Sequence, residues 1–155
     1  MDPRDFRNAM GNFATGITIV TTEWNGEVFG MTVNAFMSVS LDPMLVVISI
    51  DEQANMYELI QKTKKYAISI LKEDQTKYSM IFADQIEGKN NIEFDQLNGH
   101  SVLQDALTTI TCDVQDMVKA GDHMLFIGKV TDLSINEGEP LLYFGGNYRQ
   151  LEDIN

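Results

Sequence analysis

The chain has a single cysteine, Cys112, so no disulfide can form within it and nothing in it calls for an oxidising compartment. No apolar run approaches the roughly 20 residues a helix needs to cross a bilayer. The opening MDPRDFRNAM mixes acids with bases around no apolar centre, unlike a secretory leader; a cytoplasmic address is the expectation. Bases are scarce. Eleven Lys and Arg against 23 Asp and Glu give a formal charge of −12, which repels nucleic acid and anionic membrane surface, so neither is expected as a partner. That repulsion is screened beyond about 8–10 Å, and a few local N–H groups with one base still suffice for an anionic cofactor. Gly-x-Gly-x-x-Gly and Walker patterns are missing, which excludes Rossmann and P-loop nucleotide sites. His100 and His123 lack a companion cysteine or paired carboxylate at ligand spacing, so no metal site is expected. Low-complexity tracts and solenoid repeats are missing too.

What remains is 155 residues of ordinary globular composition, 44% hydrophobic, read as a single domain over 1–155. Phe6, Met10 and Phe13 fall at helical spacing, predicting a short amphipathic helix between Asp2 and Phe13. The β-branched run from Thr15, followed by Trp24-Asn25-Gly26 and a return from Glu27 to Val33, reads as a hairpin on an Asn-Gly turn. Ala35–Leu41 is a further extended stretch, broken by Asp42-Pro43. The apolar run Met44–Ile50 after it reads as a strand buried on both faces. A helix over Ala54–Lys65, a strand over Tyr66–Leu71 and a second helix over Glu73–Ala83 follow. Asp84–Gly99 is polar and reads as the longest loop. Strands over Thr108–Met117 and Met124–Ile135 complete a count of about seven strands and three helices, with Leu141–Phe144 a short further candidate. Most links are too short for crossover helices, so antiparallel pairing and a barrel with peripheral helices are the expectation.

The densest set of small polar groups is Gly30–Ser40, in which Thr32, Asn34, Ser38 and Ser40 recur between apolar residues. Such a stretch can present hydroxyls, an amide and backbone N–H groups to a polar heteroaromatic ring or a phosphate. On periodicity alone the same alternation more often describes a half-exposed strand pair whose Thr and Ser face water. Cys112 alternates with Ile110 and Val114 and reads as an inert buried thiol.

Met10-Gly11-x-Phe13-x-Thr15-Gly16-x-Thr18-x-Val20-Thr21, Gly30-Met-Thr-x-Asn-Ala-Phe-x-Ser-Val-Ser40-Leu-Asp-Pro43, Phe82-Ala83, Gly121-Asp122-His123-x-Leu125-Phe126-x-Gly128-x-Val130 and Pro140-Leu-Leu-Tyr-Phe-x-Gly146-x-Tyr148 resemble, in order and spacing, the flavin reductase-like family, which includes the reductase components of two-component flavin-dependent monooxygenases. The resemblance implies a mainly β fold with peripheral helices, an antiparallel Greek-key split β-barrel of the FMN-binding type. It also implies a homodimer with flavin near the subunit interface. It places flavin contacts at Thr32, Val33, Asn34, Ala35, Ser38, Val39 and Ser40 and at Phe82 and Ala83, with Lys89 as the base for the phosphate. It puts His123 at the nicotinamide face as the catalytic candidate, with Tyr148 and Arg149 completing the pocket. From spacing alone, His123 beside a turn reads more often as a surface residue or a satisfied structural donor, and the tail pair Tyr148-Arg149 reads equally as packing and a solvated base.

The implied activity is hydride transfer from NADH or NADPH to FMN or FAD, with reduced flavin either passing to a partner monooxygenase or staying to reduce a second acceptor. Two readings compete: an FMN-binding electron carrier without efficient nicotinamide oxidation, and a barrel that binds a partner without any cofactor.

Overall fold

The structure, a computed structural model, describes residues 1–154. In chain order it runs α1 (Pro3–Met10), β1 (Thr15–Gly16), β2 (Thr18–Trp24), β3 (Glu27–Val33), β4 (Phe36–Leu41), β5 (Met44–Asp51), α2 (Asn55–Thr63), β6 (Lys65–Ile70) and α3 (Thr76–Phe82). A 3-10 turn at Lys89–Asn91 leads to β7 (Phe94–Leu97), β8 (His100–Leu103), β9 (Thr108–Ala120), β10 (His123–Ile135), β11 (Leu142–Phe144) and β12 (Asn147–Arg149). The fold is therefore mainly β with peripheral helices.

Seven strands form one antiparallel sheet in the order β3-β2-β6-β9-β10-β5-β4. Its two edge strands, β3 and β4, are consecutive in sequence and joined only by Asn34 and Ala35. Three Cα steps reach at most about 11 Å, so the sheet has to curl until its edges nearly meet at that corner. β3 and β4 do not pair, and the result is a curled sheet with a split between them. Asn25 and Gly26, both at positive φ, make the β2–β3 turn, as the Asn-Gly pair requires.

The inner face of the sheet and α2 enclose the main core, in which Ile48, Ile60, Tyr66, Ile68, Cys112 and Phe126 are fully buried. The Tyr66 hydroxyl donates to the Phe126 carbonyl at 3.0 Å; a Cβ at Gly128 would run into that hydroxyl, so the glycine is what admits the ring. A second cluster, Ile17, Ile19, Leu71, Ile81, Phe82, Leu103, Ala106 and Leu141, lies under α3.

Three sequence expectations need correction. There are more strands than seven, because β1, β11 and β12 form a separate three-stranded sheet and β7 and β8 a hairpin. That hairpin lies in part of the stretch expected to be loop, and its Asn98-Gly99 turn again has both residues at positive φ. β5 is not buried on both faces: its side chains alternate between buried and half-buried, because one face meets the core and the other is only partly covered. α1 forms as the expected amphipathic helix, capped by the Asp2 carboxylate, which accepts from the Arg4 N–H at 2.8 Å; none of its residues is buried, and Phe6 and Met10 are more than half exposed.

Candidate functional site

Close packing of α3 on β3 makes the site. An added Cβ on Gly30 would lie 2.8 Å from the Phe82 ring, nearer than non-bonded carbons allow, so the glycine lets the helix settle flush on the strand. With the helix there, the Thr32 hydroxyl donates to the Ser79 carbonyl at 2.6 Å. The Ser79 hydroxyl in turn lies 2.9 Å from the Tyr148 hydroxyl. The chain Thr32–Ser79–Tyr148 ties β3, α3 and β12 together around one opening.

That opening is a cavity of about 270 Å³ lined by Ile17, Thr32, Asn34, Ser79, Ala83, Gln85, Tyr143, Gly146 and Tyr148. Tyr143 and Tyr148 meet edge to face with ring centroids 5.6 Å apart, an arrangement aromatic pairs favour. The turn between their strands carries Gly145 and Gly146 at φ +58° and +79°, and the Gly145 N–H donates to the Gly11 carbonyl at 2.9 Å. Thr15, opposite Tyr143 in the β1–β11 register, has a buried hydroxyl without a partner among the described residues, an orphan of the kind that bound ligands or waters satisfy. Apolar and aromatic walls with a few convergent hydroxyls and amides are the usual makeup of a heterocycle site, and the volume lies just under the ~300–1,000 Å³ typical of such pockets. The residues fit one portion of a flavin nucleotide.

Four of the anticipated contacts, Thr32, Asn34, Ala83 and Tyr148, line this cavity. Val33, pointing to the opposite face of the strand from its neighbours, is buried in the main core. The Ala35 carbonyl accepts from the Ser49 N–H at 3.1 Å. Ser38, Val39 and Ser40 lie along the edge strand β4, where a bulge leaves Val39 outside the ladder with β5. Phe82 is buried beside Gly30, its ring 6.4 Å from that of Phe94. Arg149 places its guanidinium over the Phe144 ring at 5.5 Å. Ile17, Ser79, Gln85, Tyr143 and Gly146 were not anticipated. Ser79 stands one helical turn before Ala83 and shares its face, but a lone serine in a helix carries no signal of its own.

Lys89 belongs to a neighbouring concavity of about 790 Å³, walled by residues 84–91 and sharing Gln85 with the first. Its ammonium sits 2.5 Å from an Asp84 carboxylate oxygen.

His123 opens β10 at the tip of the long β9–β10 hairpin, paired with Asp51 of β5 and Ala120 of β9, and it is not a wall of the cavity. Its Nδ1 lies 2.8 Å from an Asp122 carboxylate oxygen. This hydrogen bond and the charge of the ring hold the Asp122 carboxyl below the usual carboxylate range. Elsewhere, burial pushes the Cys112 thiol up to about 12, leaving a neutral group. No cluster of His, Cys, Asp and Glu suited to a metal occurs among the described residues, and no helix is long and apolar enough to cross a membrane.

A family model for the flavin reductase like domain matches residues 10–152. The chain is 43% identical over 153 residues to an NADH-dependent flavin reductase of a Rhodococcus species, covering 97% of this chain and 87% of that protein. It is 33% identical over 147 residues to the reductase component of a 4-hydroxyphenylacetate 3-monooxygenase from Thermus thermophilus, covering 94% and 95%. Its structure matches a flavin reductase solved in its native state with a TM-score of 0.96 at 57% identity, over 99% of this chain and 100% of the other. It matches an NADH:FAD oxidoreductase of Streptomyces globisporus, solved with NAD and FAD fragments, with a TM-score of 0.91 at 30% identity, over 99% and 97%.

Proposed function

The chain belongs to the flavin reductase-like family, and we propose on that premise that it transfers hydride from a nicotinamide nucleotide to FMN or FAD held at the Thr32–Ser79–Tyr148 cavity. The observation that carries the reading is this cavity, whose polar groups stand on the Gly30–Ser40 segment and on the two elements packed against it. A bound flavin supplies the electron sink; the protein supplies position and exclusion of water.

The work of each residue follows from its bonds. Thr32, having given its proton to the Ser79 carbonyl, keeps its oxygen as an acceptor. Asn34, exposed at the mouth, offers an amide donor and acceptor together, which suits the mixed polar edge of an isoalloxazine. Tyr143 and Tyr148 form the apolar wall. With Nδ1 engaged by Asp122, His123 has Nε2 left for a ligand, and the Asp122 contact fixes the ring's orientation. We assign it to orienting the nicotinamide. NADH is the donor named for the Rhodococcus and Streptomyces relatives, and we take it as the donor here.

A homodimer accounts for a row of apolar side chains left in water along the sheet edge: Met37, Val39, Leu41 and Met44 are 59%, 45%, 92% and 56% exposed. Patches of that kind mark association surfaces. The Thermus relative is a monooxygenase's reductase component, and we extend to this chain the delivery of reduced flavin to a partner oxygenase. A cytoplasmic location suits its lone, neutral thiol.

The test is nicotinamide oxidation by the purified chain with FMN, FAD or riboflavin added in turn. Flavin-dependent loss of the NADH absorbance is the expected result. A protein that binds flavin but does not oxidise NADH or NADPH overturns the reductase in favour of a carrier.

A further inference from the structure

Asp84 stands where physical chemistry disfavours it. It follows α3 directly after the capping residue Ala83, at the negative end of the helix dipole, where a carboxylate is repelled. Its φ is +59°, in the left-handed region that glycine adopts freely and that asparagine and aspartate tolerate. The backbone holds it there: the Asp84 N–H donates to the Ile81 carbonyl at 3.1 Å and the Gln85 N–H to the Met80 carbonyl at 3.0 Å. A carboxylate held at that end of the helix marks a place where something other than stability is served.

The carboxylate so placed reaches the one base of the loop. Lys89 is the only cation among the residues walling the concavity, which also contains Asp84 and Glu87, and its ammonium is 2.5 Å from Asp84. The neighbours of Asp84 on either side, Ala83 and Gln85, both line the flavin cavity, so the ion pair stands at its margin. A phosphate arriving at Lys89 therefore meets a base already neutralised and two carboxylates that repel it. Both partners of the pair are substantially solvated, with side-chain exposures of 48% for Lys89 and 78% for Asp84, so the contact is weak enough for an anion to exchange.

We propose that Asp84 is an internal competitor for Lys89, holding the place of the flavin's phosphate and thereby lowering the affinity for FMN relative to riboflavin. The inference rests on the flavin reading above. It makes Asp84 a specificity-determining residue that keeps the nucleotide exchangeable: phosphate enters as the carboxylate leaves, and the carboxylate returns as reduced flavin departs.

The experiment is fluorescence titration of FMN and of riboflavin, which lacks the phosphate, into the purified wild type, Asp84→Asn and the double variant Asp84→Asn/Lys89→Met. Asparagine tolerates the same backbone conformation, so the fold is kept. The expected result is FMN binding tightened roughly three- to tenfold in Asp84→Asn, riboflavin binding unchanged, and the gain lost in the double variant. Unchanged FMN affinity, or equal tightening of both flavins, overturns the proposal while leaving the flavin site intact. Failure of the wild type to bind either flavin overturns the site itself.

Discussion

The two concavities that share Gln85 are built on opposite principles. Around the smaller one, backbone and side chains are locked by close contact, with Gly30 against Phe82, Thr32 on the Ser79 carbonyl and Tyr148 on the Ser79 hydroxyl. Around the larger, residues 84–91 form an exposed loop whose side chains meet in a single solvated ion pair. Packing fixes a ring's position to fractions of an ångström, whereas a solvated charge pair sets only a preference. On the reading proposed above, the chain thus offers a rigid seat for the ring of a flavin and a yielding one for the part that varies.

The comparison breaks most completely if the seat is wedged open. Gly30→Ala forces a methyl against the Phe82 ring, and overpacking of this kind costs about 1–3 kcal/mol. A lowered melting temperature together with weakened riboflavin binding is the expected outcome, and unchanged binding would show that the α3–β3 contact does not shape the cavity. Next in size, His123→Ala should slow nicotinamide oxidation at saturating flavin by roughly 10–100-fold with flavin titrations unaltered, since His123 is not among the cavity walls. A loss of flavin affinity instead would reassign the residue. Tyr148→Phe removes the bond to Ser79 and keeps the ring against Tyr143; about 0.5–1.5 kcal/mol of binding or stability should be lost, measurable by flavin titration and thermal unfolding.

Smaller still, pH separates buried from exposed groups. Cys112 is raised from the ordinary thiol value of 9.0 to about 12, so the unfolded chain ionises first. The stability this group supplies is full below pH 9 and declines between there and about 12. Below pH 9, a thiol-specific reagent should leave the native protein unlabelled and react on unfolding. Asp122 runs the other way. Its carboxyl is depressed, so its contribution holds above the ordinary aspartate range and fades as the pH falls through the lowered value. At that fully exposed position, Asp122→Asn should alter the pH profile of nicotinamide oxidation more than the melting temperature.

Where pattern was strong the sequence could be read. The Asn25-Gly26 hairpin, the helix over Asn55–Thr63 and the long strands β9 and β10 all carry an unambiguous period or turn. The β7–β8 hairpin escaped although Asn98-Gly99 repeats the same turn signal, because Phe94-Asp-Gln-Leu97 has no alternation to announce a strand. α1 was legible as well, its apolar spacing being real, although nothing in the described chain covers that face. At the site, the hydroxyls of β3 were visible as a cluster. Ser79 was not, since a lone serine in a helix gains its meaning from Gly30, some 50 residues earlier, whose missing side chain brings the helix into reach. The ion pair of Lys89 with Asp84 was equally invisible, as spacing says nothing about which way a loop folds back.

The cavity takes walls from Ile17 to Tyr148, and its closing turn is tied back to Gly11. Nearly the whole described chain must therefore leave the ribosome before a seat exists. A chain still in synthesis, lacking β11 and β12, has the hydroxyls of β3 but neither tyrosine to set against them. On the reading proposed above, such a fragment lacks the seat in which flavin would be reduced.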